Sequence, residues 1–157
     1  MPQANPAIRL LSVPSLAAVD YTHVAAVDAP VTSLWLAGAC PLDPAGRTIA
    51  PGDVTVQADA VMTNLSVALA AAGGALTDIV KTTVYVASSN RADLVATWDV
   101  YRRHMSGHDV PSTLLGVAAL GYTDQLVEVE AVAVLPGDRA DAAAHAVWTR
   151  AGGARPG

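Results

Sequence analysis

The segment LVEVEAVAVL, residues 126–135, constrains the fold more than any other part of the sequence. Its residues are leucine, valine or alanine apart from Glu128 and Glu130, which are the only glutamates in the chain. Such a run reads as a long strand, and a spacing of two puts both carboxylates on one face of it. Residues 113–120 (TLLGVAAL) carry no charge and read as a further strand, with a turn at residues 121–124 between the two. Strands this apolar need cover on both faces, so the fold has to find two covering layers.

The rest of the chain provides one of them. Residues 31–38 (VTSLWLAG) read as a strand bounded by Asp28-Ala29-Pro30 and Pro41-Leu42-Asp43-Pro44, and residues 79–87 (IVKTTVYVA) as another. Asp53, after Pro51-Gly52, starts a helix in which Val54, Ala58, Val61, Met62, Leu65, Ala68, Leu69 and Ala72 recur at three- and four-residue spacing. It runs for about five turns and stops at Gly73-Gly74. Ser89 or Asn90 caps a second helix that places Leu94, Val95, Trp98, Tyr101 and Met105 on one face and ends at Gly107. The order is strand-strand-helix-strand-helix-strand-strand, an α+β arrangement with two helices on one face of a mixed sheet. The opposite face is expected to bury against copies of the same chain.

Composition narrows the partners. Hydrophobic residues make up 52% and charged residues 15% of the 157, against about 25% charged in an ordinary soluble domain. That apolar content rules out disorder over most of the chain. The formal charge is -5 with a single lysine, Lys81, so no basic field exists to hold a phosphate backbone and no nucleic-acid partner is expected. Residues 60–77 lack charge over about the length of a membrane span, but Thr63, Asn64, Ser66 and Gly73-Gly74 interrupt them, and a packed helix with its stop is expected rather than a membrane anchor. Arg9 and the apolar residues 10–18 faintly resemble a leader, broken by Pro14. The lone Cys40 forms no internal disulfide, which fits a cytoplasmic location. One domain is expected over residues 1–136, followed by an alanine-rich, partly flexible C-terminal extension at 137–157 with a short helix at 139–150.

Few residues offer chemistry. Two carboxylates on one strand face in an apolar setting repel each other, and desolvation suits one of them to general acid or base work. The alternative is that Glu128 and Glu130 lie at a wet sheet edge or make structural pairs with Arg102, Arg103 or Lys81. Cys40 follows a strand end with no local base or helix N-terminus to form its thiolate, and reads as an inert thiol. His23, His104, His108 and His145 show no metal-ligand spacing, and Gly107 separates His104 from His108, so no metal is expected. Lys81 reads as an outward-facing strand lysine.

Three motifs together resemble the YjgF/RidA, or reactive intermediate deaminase, family: LAGACPLDPAGR from Leu36, NLSVALAAAGGALTDIVKTTVYV from Asn64, and VAAL…VEVEAVAV from Val117. The resemblance runs from about Tyr21 to Leu135. It implies a chorismate-mutase-like subunit in a homotrimer whose sheets form a central barrel, with small-molecule clefts between adjacent subunits. It further implies hydrolysis of enamines and imines such as 2-aminoacrylate without metal or organic cofactor.

The resemblance also assigns site residues. Glu128 corresponds to the catalytic glutamate that orients the attacking water, Tyr21 to an aromatic wall and Gly38 to the cleft-lining glycine of an SGQ motif whose glutamine is replaced here by Ala39. Trp98 matches a cleft asparagine of some deaminases and would line the cleft or pack in the core or interface. Deaminating members anchor the substrate carboxylate with an arginine in P-A-R-[ST]. Here Val110-Pro111-Ser112-Thr113 puts Ser112 at the arginine position, where one neutral hydrogen bond replaces a bidentate charged pair. The Ser112-Thr113 backbone and Gly38 would supply hydrogen bonds, and a neutral or less acidic enamine, imine or carbonyl substrate is expected. The alternatives are a non-catalytic trimer binding a small molecule or a partner, and a specialised biosynthetic or degradative enzyme on the same fold.

Overall fold

The computed structural model describes residues 4–28, 30–137 and 139. Its main sheet is organised around the strand that the sequence singles out. We label the strands β1 (Ile8–Leu11), β2 (Val24–Val27), β3 (Val31–Ala39), β4 (Ile79–Val86), β5 (Ser112–Gly116) and β6 (Val127–Pro136), and the helices α1 (Val54–Ala71) and α2 (Arg91–Met105). β6 is central, antiparallel to β3 on one side and to β4 on the other, and β5 lies parallel to β4 at the far edge, giving the order β3-β6-β4-β5. A parallel neighbour needs a crossover, and α2 provides it between β4 and β5.

Both helices pack on one face, as their capping signals and apolar spacing require. Asp53 Oδ1 accepts from the backbone N–H groups of Thr55 and Val56, each at 3.0 Å, and Gly73 follows α1 with φ +80°. Asn90, rather than Ser89, caps α2 by accepting from Ala92 N–H at 3.1 Å. By length and composition α1 could cross a membrane, yet Val61, Met62, Leu65 and Leu69 on it are buried against the sheet. Those side chains meet Val84 of β4 and Val127, Val129, Ala131 and Ala133 of β6 in one core.

Several details depart from the sequence reading. Two strands precede β3, one more than the expected order holds, and they form a separate antiparallel ribbon. Leu10 and Leu11, part of the faintly leader-like run, belong to its first strand. β5 ends at Gly116 rather than at residue 120, because β4 stops at its partner Val86 and leaves the following residues without a strand to pair. On α2 the buried positions are Thr97, Val100, Tyr101 and Met105, so Val95 points out instead of in, and the hydroxyl of Thr97 donates to the Asp93 carbonyl. Buried Gln57, polar and therefore absent from the expected apolar face of α1, accepts from Leu126 N–H at 2.7 Å and donates to the Asp124 carbonyl at 2.9 Å, fixing the chain where it enters β6. The helix expected at 139–150 lies, Arg139 apart, outside the described residues.

The face turned away from the helices carries Trp35 opposite Val132, Thr83 opposite Glu130 and Tyr85 opposite Glu128. Trp35 is 79% exposed there. Among the described residues no second helical layer covers this face. Leu65→Ala, which empties a fully buried site, is expected to lower the unfolding free energy by about 2–5 kcal/mol in urea titration, whereas Val67→Ala on the exposed side of the same helix changes it by roughly 0.5 kcal/mol or less.

Candidate functional site

The residues that the sequence marks fall into two clusters. The first sits where β3 leaves β6. Leu36 pairs with Ala131 and Ala39 with Val129, so β3 spends one extra residue over this interval and bulges at Ala37 and Gly38. The Glu128 side chain fills the space that a side chain at position 38 would need. A Cβ on Gly38 would stand 2.0 Å from Glu128 Oε1 and 2.8 Å from its Cγ, so any side chain at 38 would push Glu128 out of this position.

Glu128 is held from two further sides. Gln125, 4% exposed, donates from Nε2 to Glu128 Oε2 at 2.9 Å, and its own carbonyl accepts from Tyr122 N–H at 3.0 Å. The Cys40 thiol has two acceptors at 3.5 Å, the same Oε2 and the Gly38 carbonyl. Asn64 of α1 fixes the chain after β3 by donating to the carbonyls of Cys40 and Leu42 at 2.8 and 3.0 Å. Gly38, Ala39 and Cys40 line a groove of about 720 Å³ along the β3 edge, with Asn64 and Tyr122 beside them. Burial, the charge of Glu128 and the hydrogen bond to it push the Cys40 thiol up to about 11, so it serves Glu128 as a neutral donor.

Neither glutamate belongs to an ion pair among the described residues, so the pairing with Arg102, Arg103 or Lys81 is not made. Glu130 accepts instead from the Tyr85 hydroxyl at 2.9 Å, and that hydrogen bond is the main cause that raises the phenol. Lys81 lies on the same open sheet face, donates to Thr113 Oγ1 at 3.0 Å and is lowered by burial.

The second cluster lies at the opposite edge, where β5 and α2 enclose a groove of about 530 Å³ lined by Tyr21, Trp98, Ser112 and Thr113 together with Arg91 and Asp20. Trp98 stacks on Tyr101 at 4.9 Å between ring centroids and meets Tyr21 edge-on at 6.3 Å. Its indole N–H donates to Asp20 at 2.9 Å. The hydroxyl of Ser112 belongs to an internal network: it donates to the Val110 carbonyl at 2.9 Å and lies 2.7 Å from Thr82 Oγ1 and 3.0 Å from the Tyr101 hydroxyl. Its proton is therefore engaged, and what β5 offers the groove is its edge backbone and Thr113.

Gln125, Arg91 and the Tyr101–Thr82 pair escaped the sequence reading. A single amide three residues before Glu128 was the only available signal for Gln125. The described histidines are occupied separately, His23 by Val13 N–H at 3.0 Å, His104 by Asp59 at 2.9 Å and His108 by the Ile79 carbonyl at 2.8 Å.

A mixed sheet with both helices on one face and a glutamate seated on a bulge glycine defines an α+β subunit of the chorismate-mutase-like kind. The chain belongs to the family described as Endoribonuclease L-PSP, the YjgF/RidA family, whose pattern matches residues 14–135. It is 34% identical over 114 residues to a 2-iminobutanoate/2-iminopropanoate deaminase of Capra hircus, an alignment that covers 73% of this chain and 79% of the relative. It is equally 34% identical over 114 residues to the protein DfrA of Myxococcus xanthus, covering 73% of this chain and 84% of that protein. Among solved structures, a conserved Rid-family protein of Yersinia pestis superposes with a TM-score of 0.75 over 82% of this chain and 99% of its own, at 23% identity, a likeness of fold.

The geometry around Cys40 gives a direct test. At pH 8 its alkylation by iodoacetamide is expected to run about a hundredfold slower than that of an unhindered thiol, because so little thiolate is present. Glu128→Gln, which removes the neighbouring charge, and Gly38→Ala, which displaces the carboxylate, should both speed the reaction; equal rates in all three proteins would contradict the contact.

Proposed function

We propose that the chain is a cofactor-independent hydrolase that deaminates small enamines or imines in a cleft between subunits of a homotrimer. The observation that carries this reading is the seat of Glu128: a carboxylate pressed against a bulge glycine and held by a buried amide and a neutral thiol. Its Oε2 is thereby fixed in position, and its Oε1 lies against Gly38 with no hydrogen-bond partner among the described residues. The deaminase names of the mammalian relatives point to the same chemistry.

Glu128 acts as a general base toward water. As the water oxygen bonds to the carbon of the protonated imine, Glu128 takes its proton and a neutral carbinolamine forms. Glu128 then returns that proton to the nitrogen, the C–N bond breaks as the carbinol hydroxyl gives its proton to Glu128 and on to solvent, and a carbonyl compound and ammonia leave. An enamine first takes a proton on carbon to become the imine. Cys40 positions Glu128 and does not act as a nucleophile, since its thiol stays protonated at neutral pH.

The two clusters occupy opposite edges of the four-stranded sheet, with β3 at one and β5 at the other. A single chain therefore leaves them apart, and edge-to-edge packing of copies joins Glu128 of one subunit to the Trp98 groove of the next. The same packing supplies the cover for the open sheet face around Trp35. The formal charge of -5 gives a polynucleotide no attraction, and we do not extend the nuclease description of the family to this chain.

Glu128→Gln is expected to reduce deamination of an imine generated in situ from an amino acid by roughly 10²–10⁴-fold, with the assembly unchanged in light scattering. Turnover equal to that of the wild type would remove Glu128 from the mechanism. Cleft binding without turnover in the wild type would favour a small-molecule-binding trimer.

A further inference from the structure

The β5–α2 groove contains a cation that no motif of the sequence connects with it. Arg91, the first residue of α2, lines the groove beside Trp98, Ser112 and Thr113. It is exposed, and among the described residues its side chain makes no ion pair or hydrogen bond. Every other described arginine except Arg103 is engaged by an aspartate: Arg9 by Asp28, Arg47 by Asp43, Arg102 by Asp20 and Asp109, and Arg139 by Asp78. Arg103 does not line the groove.

The groove also holds an acid, Asp20, whose Oδ2 is committed. It accepts the Trp98 indole N–H at 2.9 Å and pairs with Arg102 at 3.4 Å. Ser112, at the position from which a cation would otherwise reach this groove, is neutral and donates inward to Val110. The cation of the groove that lacks a partner among the described residues is thus Arg91, which comes from the helix side and lines the groove with Trp98.

We infer that Arg91 is the anion-recognising residue of this cleft and that the cleft takes small carboxylates whose apolar body lies against Trp98 and Tyr21. A guanidinium with no internal partner is suited to a bidentate, charge-assisted pair with a carboxylate. The expectation of a neutral ligand, which rested on Ser112, gives way: the charge that position 112 lacks is offered from a different element. The inference rests on the cleft reading above for the location of the ligand, but the binding it predicts does not depend on turnover.

The test titrates 2-oxobutanoate and its methyl ester into the full chain and follows binding by ligand-observed NMR. The wild type should bind the acid roughly tenfold or more tighter than the ester, Arg91→Gln should abolish that preference, and Arg91→Lys should keep part of it. Arg103→Gln, with the same change of charge on the same helix, should leave the preference intact. A wild type that does not prefer the acid, or fails to bind it at millimolar concentration, overturns the inference. So does a preference that survives Arg91→Gln. If imines are not turned over while the Arg91-dependent preference remains, the hydrolase reading falls and the anion site stands. If turnover is present and Arg91→Gln alters neither KM nor acid binding, the anion site falls and the hydrolase reading stands.

Discussion

A sheet whose helices all lie on one side leaves its other side to be covered by something else, and most of this structure follows from that. β6 is buried on its helix face by Val127, Val129, Ala131 and Ala133, and on the other face it carries Glu128 and Glu130. With the helices occupied by the core, the chemistry-bearing side chains collect on the open face and at the sheet's two free edges. The bulge in β3 is the local device at this edge, because it brings Gly38 against Glu128, whose carboxylate occupies the space that a Cβ would take.

The second edge is organised by aromatic packing instead. Trp98, stacked on Tyr101 and held by Asp20, forms a fixed wall. Tyr101 in turn joins Thr82 and Ser112 in a hydroxyl network, and burial raises its phenol, so the network stays neutral at physiological pH. The charged residues that line this groove are Arg91 and Asp20, and Asp20 shares Arg102 with Asp109. Under the proposed function, selection of a ligand by charge and activation of water by Glu128 reside on different edges, to be joined by assembly.

The strands and helices were legible because each carries a local signal. Asp53 and Asn90 are side-chain caps, Gly73 and Gly107 take positive φ just past the helix ends, and the β-branched runs of β4 and β6 alternate as a half-buried strand must. Glu128 and Gly38 were legible as individual residues, by strand position and by family resemblance. Their mutual contact was not, since it depends on a one-residue bulge that no residue type announces. Arg91 was overlooked for a similar reason: it is separated by more than twenty positions from Ser112, and only the α2 crossover brings the two into one groove. The inward donation of Ser112 was hidden because it depends on Tyr101, a helix residue that periodicity assigns simply to the core.

The claim on which the rest turns is that one cleft takes its two walls from two subunits. Subunit complementation tests it directly. Glu128→Gln and Thr113→Trp, the second filling the groove at the β5 edge, are each expected to inactivate every cleft of their own proposed homotrimer. Refolded together in equal amounts, they should regain deamination in roughly a quarter of the clefts, those that pair an intact Glu128 edge with an intact groove. A mixture no more active than its parents would contradict the shared cleft and place both walls of the site within one chain.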